Sequence, residues 1–158
     1  MYYINYKNIE YIKYILDNLR DEDVEESVFV YGDNWKNETL KNILNPEVNL
    51  TIAIDKNTNI PICMGGITPR DKTHKDIGIV WLLATDNVKF HKYALLKKLK
   101  SEIVFYDKQY RFLYNFIFYK NYLAKKWLKW LGFVFGYPQK NPNKAFQKFE
   151  VFYRIRKK

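Results

Sequence analysis

The stretch NYLAKKWLKWLGF, residues 121–133, combines two tryptophans, three lysines and a closing Gly-Phe pair. Helical spacing separates an apolar face from a basic one. The apolar face is predicted to hold Leu123, Ala124, Trp127, Leu128 and Leu131, and the basic face Lys125, Lys126 and Lys129. Gly132 follows where a helix often ends in a left-handed residue. Such a helix can serve a nucleic-acid surface, a membrane surface or a larger fold.

Length and composition predict one globular domain spanning residues 1–158. The chain is 47% hydrophobic and 18% aromatic, which excludes a disordered protein. No apolar run approaches the roughly 18 residues of a membrane span, and the start MYYINYKNIE lacks the pattern of a secretory signal. We therefore expect an intracellular protein without membrane association. One cysteine, Cys63, and two histidines, His74 and His91, predict neither a disulfide nor a metal site.

Charge is divided unevenly along the chain. Residues 1–88 carry nine Lys and Arg against fourteen Asp and Glu, whereas residues 89–158 carry eighteen against three. The two parts thus have net charges of −5 and +15. This asymmetry favours an anionic ligand or partner for the second part, although a solvated lysine face explains it equally well.

Hydrophobic periodicity predicts the order of the elements. A short strand precedes a helix over NIEYIKYILDNLRDEDVEES and a second over GDNWKNETLKNIL, and LTIAID and IPICMGGI form a hairpin around the turn KNTN. IGIVWLLAT has apolar residues at both odd and even positions, as in a central strand covered on both faces. A helix capped by Thr85, Asp86 or Asn87 follows, then the strand FLYNFIFY, the helix quoted above, and two closing strands, FVFGYP and FEVFYRIR. This order predicts an α+β domain.

The order and the quoted helix resemble the GCN5-related N-acetyltransferase (GNAT) superfamily. The residues that carry the resemblance are Asn121, Ala124 and Leu131-Gly132-Phe133. It implies a mixed central sheet of about six to seven strands flanked by about four helices. The segments WLLATD and WLKWLGF are also similar to GNAT-like proteins of T7-like podophages, a group labelled internal virion protein A. That similarity implies a protein of the host cytoplasm or the virion, with a virion or host protein as partner.

The resemblance implies acetyl-CoA as cofactor, held where the fourth and fifth strands diverge. Leu82, Leu83 and Asn121 would line the pantetheine channel, and Lys89, His91 and Lys92 would occupy the turn that binds the diphosphate at a helix N-terminus. Thr85, Tyr93 and Lys125 complete the implied cofactor set. His91 and Tyr122 are the candidate acid–base residues.

Two departures from the superfamily pattern bear on this site. Phe90 and Lys92 stand where the diphosphate loop has glycines, so side chains crowd a place where backbone should approach phosphate. Leu128 replaces the tyrosine that commonly protonates the departing thiolate, leaving Tyr119 or Tyr122 as substitutes. Asp86, as a cap, would also bring a carboxylate into the anion site.

Three functions remain open at this stage. A protein with a degenerate cofactor loop and a lapsed activity, used in virion assembly or on a host protein, is the first. An active acetyl-CoA-dependent N-acetyltransferase is the second, because positioning of the amine supplies much of the rate of such transfers. The third is nucleic-acid binding through the basic part of the chain, with Trp130 beside Lys126.

Overall fold

A mixed seven-stranded sheet organises the protein. The computed structural model describes residues 1–136 and 148–156. Its elements are β1 (Tyr2–Ile4), α1 (Ile9–Asp17), α2 (Asp21–Tyr31), a 3-10 turn (Gly32–Asn34), α3 (Trp35–Leu44), β2 (Asn49–Ile54), β3 (Pro61–Pro69), β4 (Ile77–Ala84), α4 (Val88–Tyr106), β5 (Phe112–Phe118), α5 (Tyr122–Trp130), β6 (Val134–Phe135) and β7 (Phe149–Ile155). The strand order is β1-β2-β3-β4-β5-β7-β6. This architecture confirms the predicted α+β fold class and the central position of β4.

Strands β4 and β5 are parallel neighbours, whereas β1–β2, β2–β3, β5–β7 and β6–β7 pair in antiparallel fashion. Strand β4 pairs with β5 at three positions, Ile77–Ile79 against Phe112–Tyr114. Strand β5 pairs along its full length with β7 in antiparallel fashion, and β1, β2 and β3 form antiparallel neighbours. The predicted hairpin around KNTN is confirmed by the β2–β3 ladder.

The chain divides into two compact units. Unit 1 comprises Met1–Thr68 and Val80–Leu95, and unit 2 comprises Pro69–Ile79 and Leu96–Lys158. The interpretation of residues 1–158 as one domain stays a prediction. Within the described residues, none of the helices combines the length and the apolar character that a bilayer span requires.

The core of unit 1 lies between its helices and strands β2 to β4. Fully buried side chains from α1 pack with others from β2 and β3, among them Ile12, Ile52 and Met64. Trp81 and Leu83 of β4 pack against the same cluster because alternate residues of a strand point to the same face. Gly66 permits close strand contact, since a Cβ there would lie 1.9 Å from the backbone oxygen of Asn49.

The first predicted helix is two helices in the structure. Helix α1 ends at Asp17, and α2 begins at Asp21 after an extended link. Leu19, predicted as part of the apolar helix face, instead forms an antiparallel bridge with Thr85. The acidic segment DEDVEES is itself helical, so the sequence looks helical on both sides of the break at residues 18–20. The pattern therefore did not indicate that one helix ends and another begins.

Unit 2 packs aromatic side chains around β5, β7 and α5. Phe118 meets Phe149 at a ring-centroid distance of 5.7 Å, and Phe133 meets Phe152 at 5.4 Å. Gly132 follows α5 with a φ of +88°, which confirms the predicted left-handed residue after this helix. Residues 137 and 138 of the predicted strand FVFGYP, and most of the polar loop after it, lie outside the described residues.

Candidate functional site

The C-terminal end of β4 is hydrogen-bonded on both of its edges within unit 1. Towards β3, Thr85 donates to the carbonyl of Ile62 through its backbone N–H at 2.9 Å and its hydroxyl at 3.0 Å. Adjacent residues of a strand direct their backbone groups to opposite edges, so those of Ala84 point away from β3. There the Ala84 carbonyl accepts the N–H of Arg20 at 3.0 Å, and the Ala84 N–H donates to Asp23 Oδ2 at 3.0 Å.

A buried ion pair holds this second edge. Arg20 donates to Asp23 through Nη2 at 2.7 Å and through Nε at 3.1 Å, and the two side chains are only 5% and 3% exposed. Burial raises the pKa of Asp23, while the Arg20 guanidinium and the Ala84 N–H oppose that rise. The link between α1 and α2 is thereby fastened to the last residue of β4.

The first turn of α4 is closed by its own backbone. The N–H groups of Val88, Lys89 and Phe90 donate to the carbonyls of Thr85, Asp86 and Asn87 at 3.1–3.2 Å. These are the groups that a helix N-terminus ordinarily offers to an anion. The Asp86 carboxylate also lies at this turn, 2.5 Å from Lys89 Nζ. The turn therefore already contains an anion and its counter-charge.

The side chains of the same turn project into solvent. Phe90 is 83% exposed, and Tyr93, one turn further along α4, is exposed as well. Lys92 Nζ lies 5.0 Å from the ring centroid of Tyr93. Of the predicted cofactor residues, Lys89 thus pairs with Asp86, and Lys92 contacts Tyr93, within the first two turns of α4.

His91 is the exception, because its side chain contacts the β2–β3 turn instead of projecting into solvent. Its Nε2 lies 3.0 Å from Asp55 Oδ2 in the β2–β3 turn. The backbone N–H groups of Asn57 and Thr58 also donate to Asp55, at 2.7 and 3.4 Å. These backbone hydrogen bonds, Asn57 first, and then His91 lower the pKa of Asp55. A carboxylate in this position fixes the orientation of an imidazole, which is half of an acid–base relay.

The predicted channel residues of β4 face opposite sides of the strand. Leu83 packs against the core of unit 1. Leu82 lies on the other face beside Gly65, where a Cβ would come within 2.9 Å of its Cδ1. Thr85 is buried, and its hydroxyl is engaged with Ile62 as described. Leu82, Thr85 and His91 therefore all lie in unit 1, each with a different neighbour, whereas Leu83 packs in the core.

The remaining predicted residues lie in unit 2, on α5. Asn121 is buried and caps the helix, with Oδ1 accepting the N–H of Ala124 at 3.3 Å. Lys125 forms an ion pair with Glu150 of β7 at 2.6 Å. Tyr122 is 66% exposed. Two of these three side chains thus have structural contacts that their sequence pattern did not indicate.

Sequence reasoning missed Arg20, Asp23 and Asp55. Arg20 and Asp23 are three residues apart, which is the spacing of an ordinary ion pair in the first turn of a helix. The acidic residues around Asp23 predict a solvent-exposed helix face, so neither residue was expected to be buried. Asp55 had a usable signal, since Asp followed by KNTN predicts a turn closed by its carboxylate. Its contact with His91, 36 residues further along, required the tertiary structure. Within the described ranges, no group of three or more potential metal ligands occurs.

Solved structures share this fold over the whole chain. An aminoglycoside 6'-acetyltransferase type Ii is similar with a TM-score of 0.70 and 16% identity, covering 100% of this chain and 99% of that one. An aminoglycoside 6'-N-acetyltransferase complexed with coenzyme A is similar with a TM-score of 0.67 and 16% identity, covering 100% of this chain and 98% of that one. A GCN5-related N-acetyltransferase from Kribbella flavida is similar with a TM-score of 0.67 and 12% identity, covering 98% of this chain and 96% of that one. No family model and no curated protein matches the sequence.

The protein thus has the fold of the GCN5-related N-acetyltransferases. One of its structural neighbours holds coenzyme A on this fold. The similarity is one of backbone fold, since identities of 12 to 16% leave the side chains of the site to be assessed on their own contacts.

Proposed function

We propose that this chain is a phage-encoded GNAT-fold protein whose acetyl-CoA site has closed, and that it serves in virion assembly or binds a host protein. The observation that carries the proposal is the end of β4. A cofactor arm that paired with the β4 edge facing away from β3, as far as its last residue, would compete for the backbone N–H and C=O of Ala84. Both are hydrogen-bonded to Arg20 and Asp23, 3.0 Å away in each case.

The start of α4 supports the same proposal. A diphosphate carries negative charge and is stabilised by unpaired N–H groups. Here the N–H groups of the first turn are hydrogen-bonded to backbone carbonyls, and the Asp86 carboxylate is paired with Lys89 of the same turn. Phe90 and Lys92 add side chains where glycines would let backbone approach phosphate. The residues present at this turn do not fit the diphosphate in the manner that the superfamily uses.

Displacing the segment at Ala84 would be costly. Freeing this edge leaves the Arg20 N–H and the Asp23 carboxylate each without one buried hydrogen-bond partner. Leaving a buried polar group unsatisfied costs about 1–3 kcal/mol, so the two together cost about 2–6 kcal/mol. That cost would weaken a ligand by a factor of roughly 30 to 10⁴ relative to a site already open.

Calorimetric titration of the purified protein with acetyl-CoA tests the closed site directly. We expect no binding heat at millimolar ligand. A matched titration of Asp86→Asn and of Phe90→Gly separates the contributions of the anion and of the crowding side chain, and we expect neither change alone to create binding. A dissociation constant below about 100 μM for the unmodified protein would contradict the proposal.

The proposed partner is tested separately from the cofactor. The protein, carrying an affinity tag, is expressed during infection, and purified particles and tagged complexes are analysed by mass spectrometry. We expect the protein at stoichiometric level in particles, or one host protein retained through salt washes. Its absence from particles together with the lack of a retained protein would refute this role.

An active acetyl-CoA-dependent N-acetyltransferase is the second candidate. It is favoured by similarity over the full chain to an acetyltransferase complexed with coenzyme A. The three-residue β4–β5 pairing also leaves most of both strands outside their common ladder. In this reading, Asp55 orients His91 as the candidate base, and Tyr122 is separately the candidate acid in place of the tyrosine replaced by Leu128.

Thiol release from acetyl-CoA in the presence of amines tests this second candidate. Aminoglycosides are a suitable first panel because two structural neighbours are named for them. Cys63 adds little background, since it is buried and its pKa is raised to about 12. Turnover that falls in His91→Gln and in Tyr122→Phe, without loss of folding, would establish activity and overturn the closed-site proposal.

A further inference from the structure

An exposed row of aromatic and basic side chains runs along α5. Tyr122, Lys126 and Trp130 are four residues apart, so they lie next to one another on one side of the helix. All three are exposed, with Tyr122 at 66% and Trp130 at 53%. Trp127, next to Lys126 in the sequence, is instead buried in unit 2. We call Tyr122, Lys126 and Trp130, together with Lys100 of α4, the α5 row.

Lys100 completes the row through the indole of Trp130. Its Nζ lies 4.9 Å from the Trp130 ring centroid, a cation–π contact that holds positive charge beside an exposed aromatic face. Lys129 adds a further exposed ammonium group on α5. Among the ion pairs recorded for the described residues, none includes Lys100, Lys126 or Lys129. Lys100 and Lys126 are therefore exposed without a carboxylate partner among the described residues, whereas Lys129 Nζ lies 5.7 Å from the Phe135 ring centroid.

The chemistry of the row selects one kind of partner. Lysines attract any polyanion. An exposed aromatic side chain between them adds binding free energy mainly by stacking on a planar group such as a base. Single-stranded nucleic acid offers both phosphates and unstacked bases, whereas duplex bases are already stacked. A membrane surface fits poorly, because α5 has nine residues and its Trp127 is buried in unit 2.

We propose that the α5 row binds single-stranded nucleic acid, with a base stacked on Trp130 and phosphates at Lys100 and Lys126. This inference does not rest on the closed-site argument, because none of the four residues belongs to the end of β4 or to the first turn of α4. Only Tyr122 also enters the acetyltransferase reading, and it is left unchanged in the test below. Loss of nucleic-acid binding and gain of cofactor binding would therefore be separate results.

Fluorescence anisotropy with a labelled 20-nucleotide single strand tests the row. We expect Trp130→Ala to weaken binding about tenfold and Trp130→Phe to retain most of it, because stacking on one base contributes on that scale. Lys126→Gln should reduce the salt dependence, lowering the slope of log K against log salt by about 0.7. Circular dichroism checks that each variant is folded.

Two matched controls separate the row from general charge attraction. Phe105→Ala removes an aromatic of unit 2 with the same 53% exposure as Trp130, and Lys75→Gln removes an exposed lysine away from α5. We expect neither to reproduce the loss seen for Trp130→Ala. Equal affinity for polyglutamate, heparin or duplex DNA at matched salt would overturn the proposal. So would unchanged binding in folded Trp130→Ala.

Discussion

Asp23→Asn is expected to destabilise the protein far more than the same change at Asp17. Both carboxylates accept a basic side chain at 2.7 Å, Asp23 from Arg20 and Asp17 from Lys36. The pairs differ in burial: the first is 5% and 3% exposed, and the second 50% and 64%. This contrast isolates the effect of solvent on an ion pair of fixed length.

The magnitudes follow from burial. Removing the Asp23 charge leaves Arg20 buried without a counter-charge, at a cost of about 3–5 kcal/mol. The exposed Asp17 pair contributes about 0.2–1 kcal/mol. For a chain of this size, each kcal/mol shifts the melting temperature by roughly 2–4 °C, so Asp23→Asn should lower it by about 6–20 °C.

Urea denaturation followed by tryptophan fluorescence measures both variants, with the slope m expected to be unchanged. The double variant Arg20→Met with Asp23→Leu removes both charges and should recover much of the loss. Amide hydrogen exchange at Ala84 gives a local readout, because its N–H donates to Asp23 and should lose protection in Asp23→Ala. Equal losses for Asp23→Asn and Asp17→Asn would refute the account of the β4 end given above.

Three further predictions concern unit 1. Gly66→Ala should destabilise by at least about 3 kcal/mol in urea denaturation, because its Cβ would meet the Asn49 backbone oxygen at 1.9 Å; a loss below 1 kcal/mol would contradict this. Cys63 should resist thiol reagents at pH 8 until the protein unfolds, since it is buried with a pKa raised to about 12, and rapid native labelling would show otherwise. Because Asn57 and His91 lower the pKa of Asp55, its stabilisation is present above about pH 4 and is lost as pH falls through the native pKa. In Asp55→Asn, the free energy of unfolding should therefore fall less steeply as the pH drops below about 4. An unchanged pH dependence in this variant would contradict the prediction.

The order of the elements was readable from the sequence because it depends on local spacing. Alternation in LTIAID, the apolar run IGIVWLLAT and the helical pattern ending at Gly132 each correspond to the observed element. The break between α1 and α2 was not readable, because both sides of it are helical. The Asn121 cap was implied only as a cofactor contact, although Asn before a helix is itself a capping signal.

The candidate site was less readable than the fold. The sequence alone showed that Phe90 and Lys92 stand where the superfamily pattern has glycines, and that Asp86 lies at the start of the helix. The pairing of His91 with Asp55 and of Lys125 with Glu150 was not, since each joins residues 25 or more positions apart. Such contacts depend on which strands become neighbours, and no local pattern encodes that choice.

The sequence alone determined the α+β class, the central place of β4 and the basic character of residues 89–158. These properties follow from periodicity and composition, which act over a few neighbouring residues. Only the tertiary structure decided what meets the end of β4 and which aromatic side chains of α5 stay exposed. Ala84 carries no side-chain signal for its partners, because its backbone N–H and C=O are common to every residue, and only the folded chain brings Arg20 and Asp23 to them.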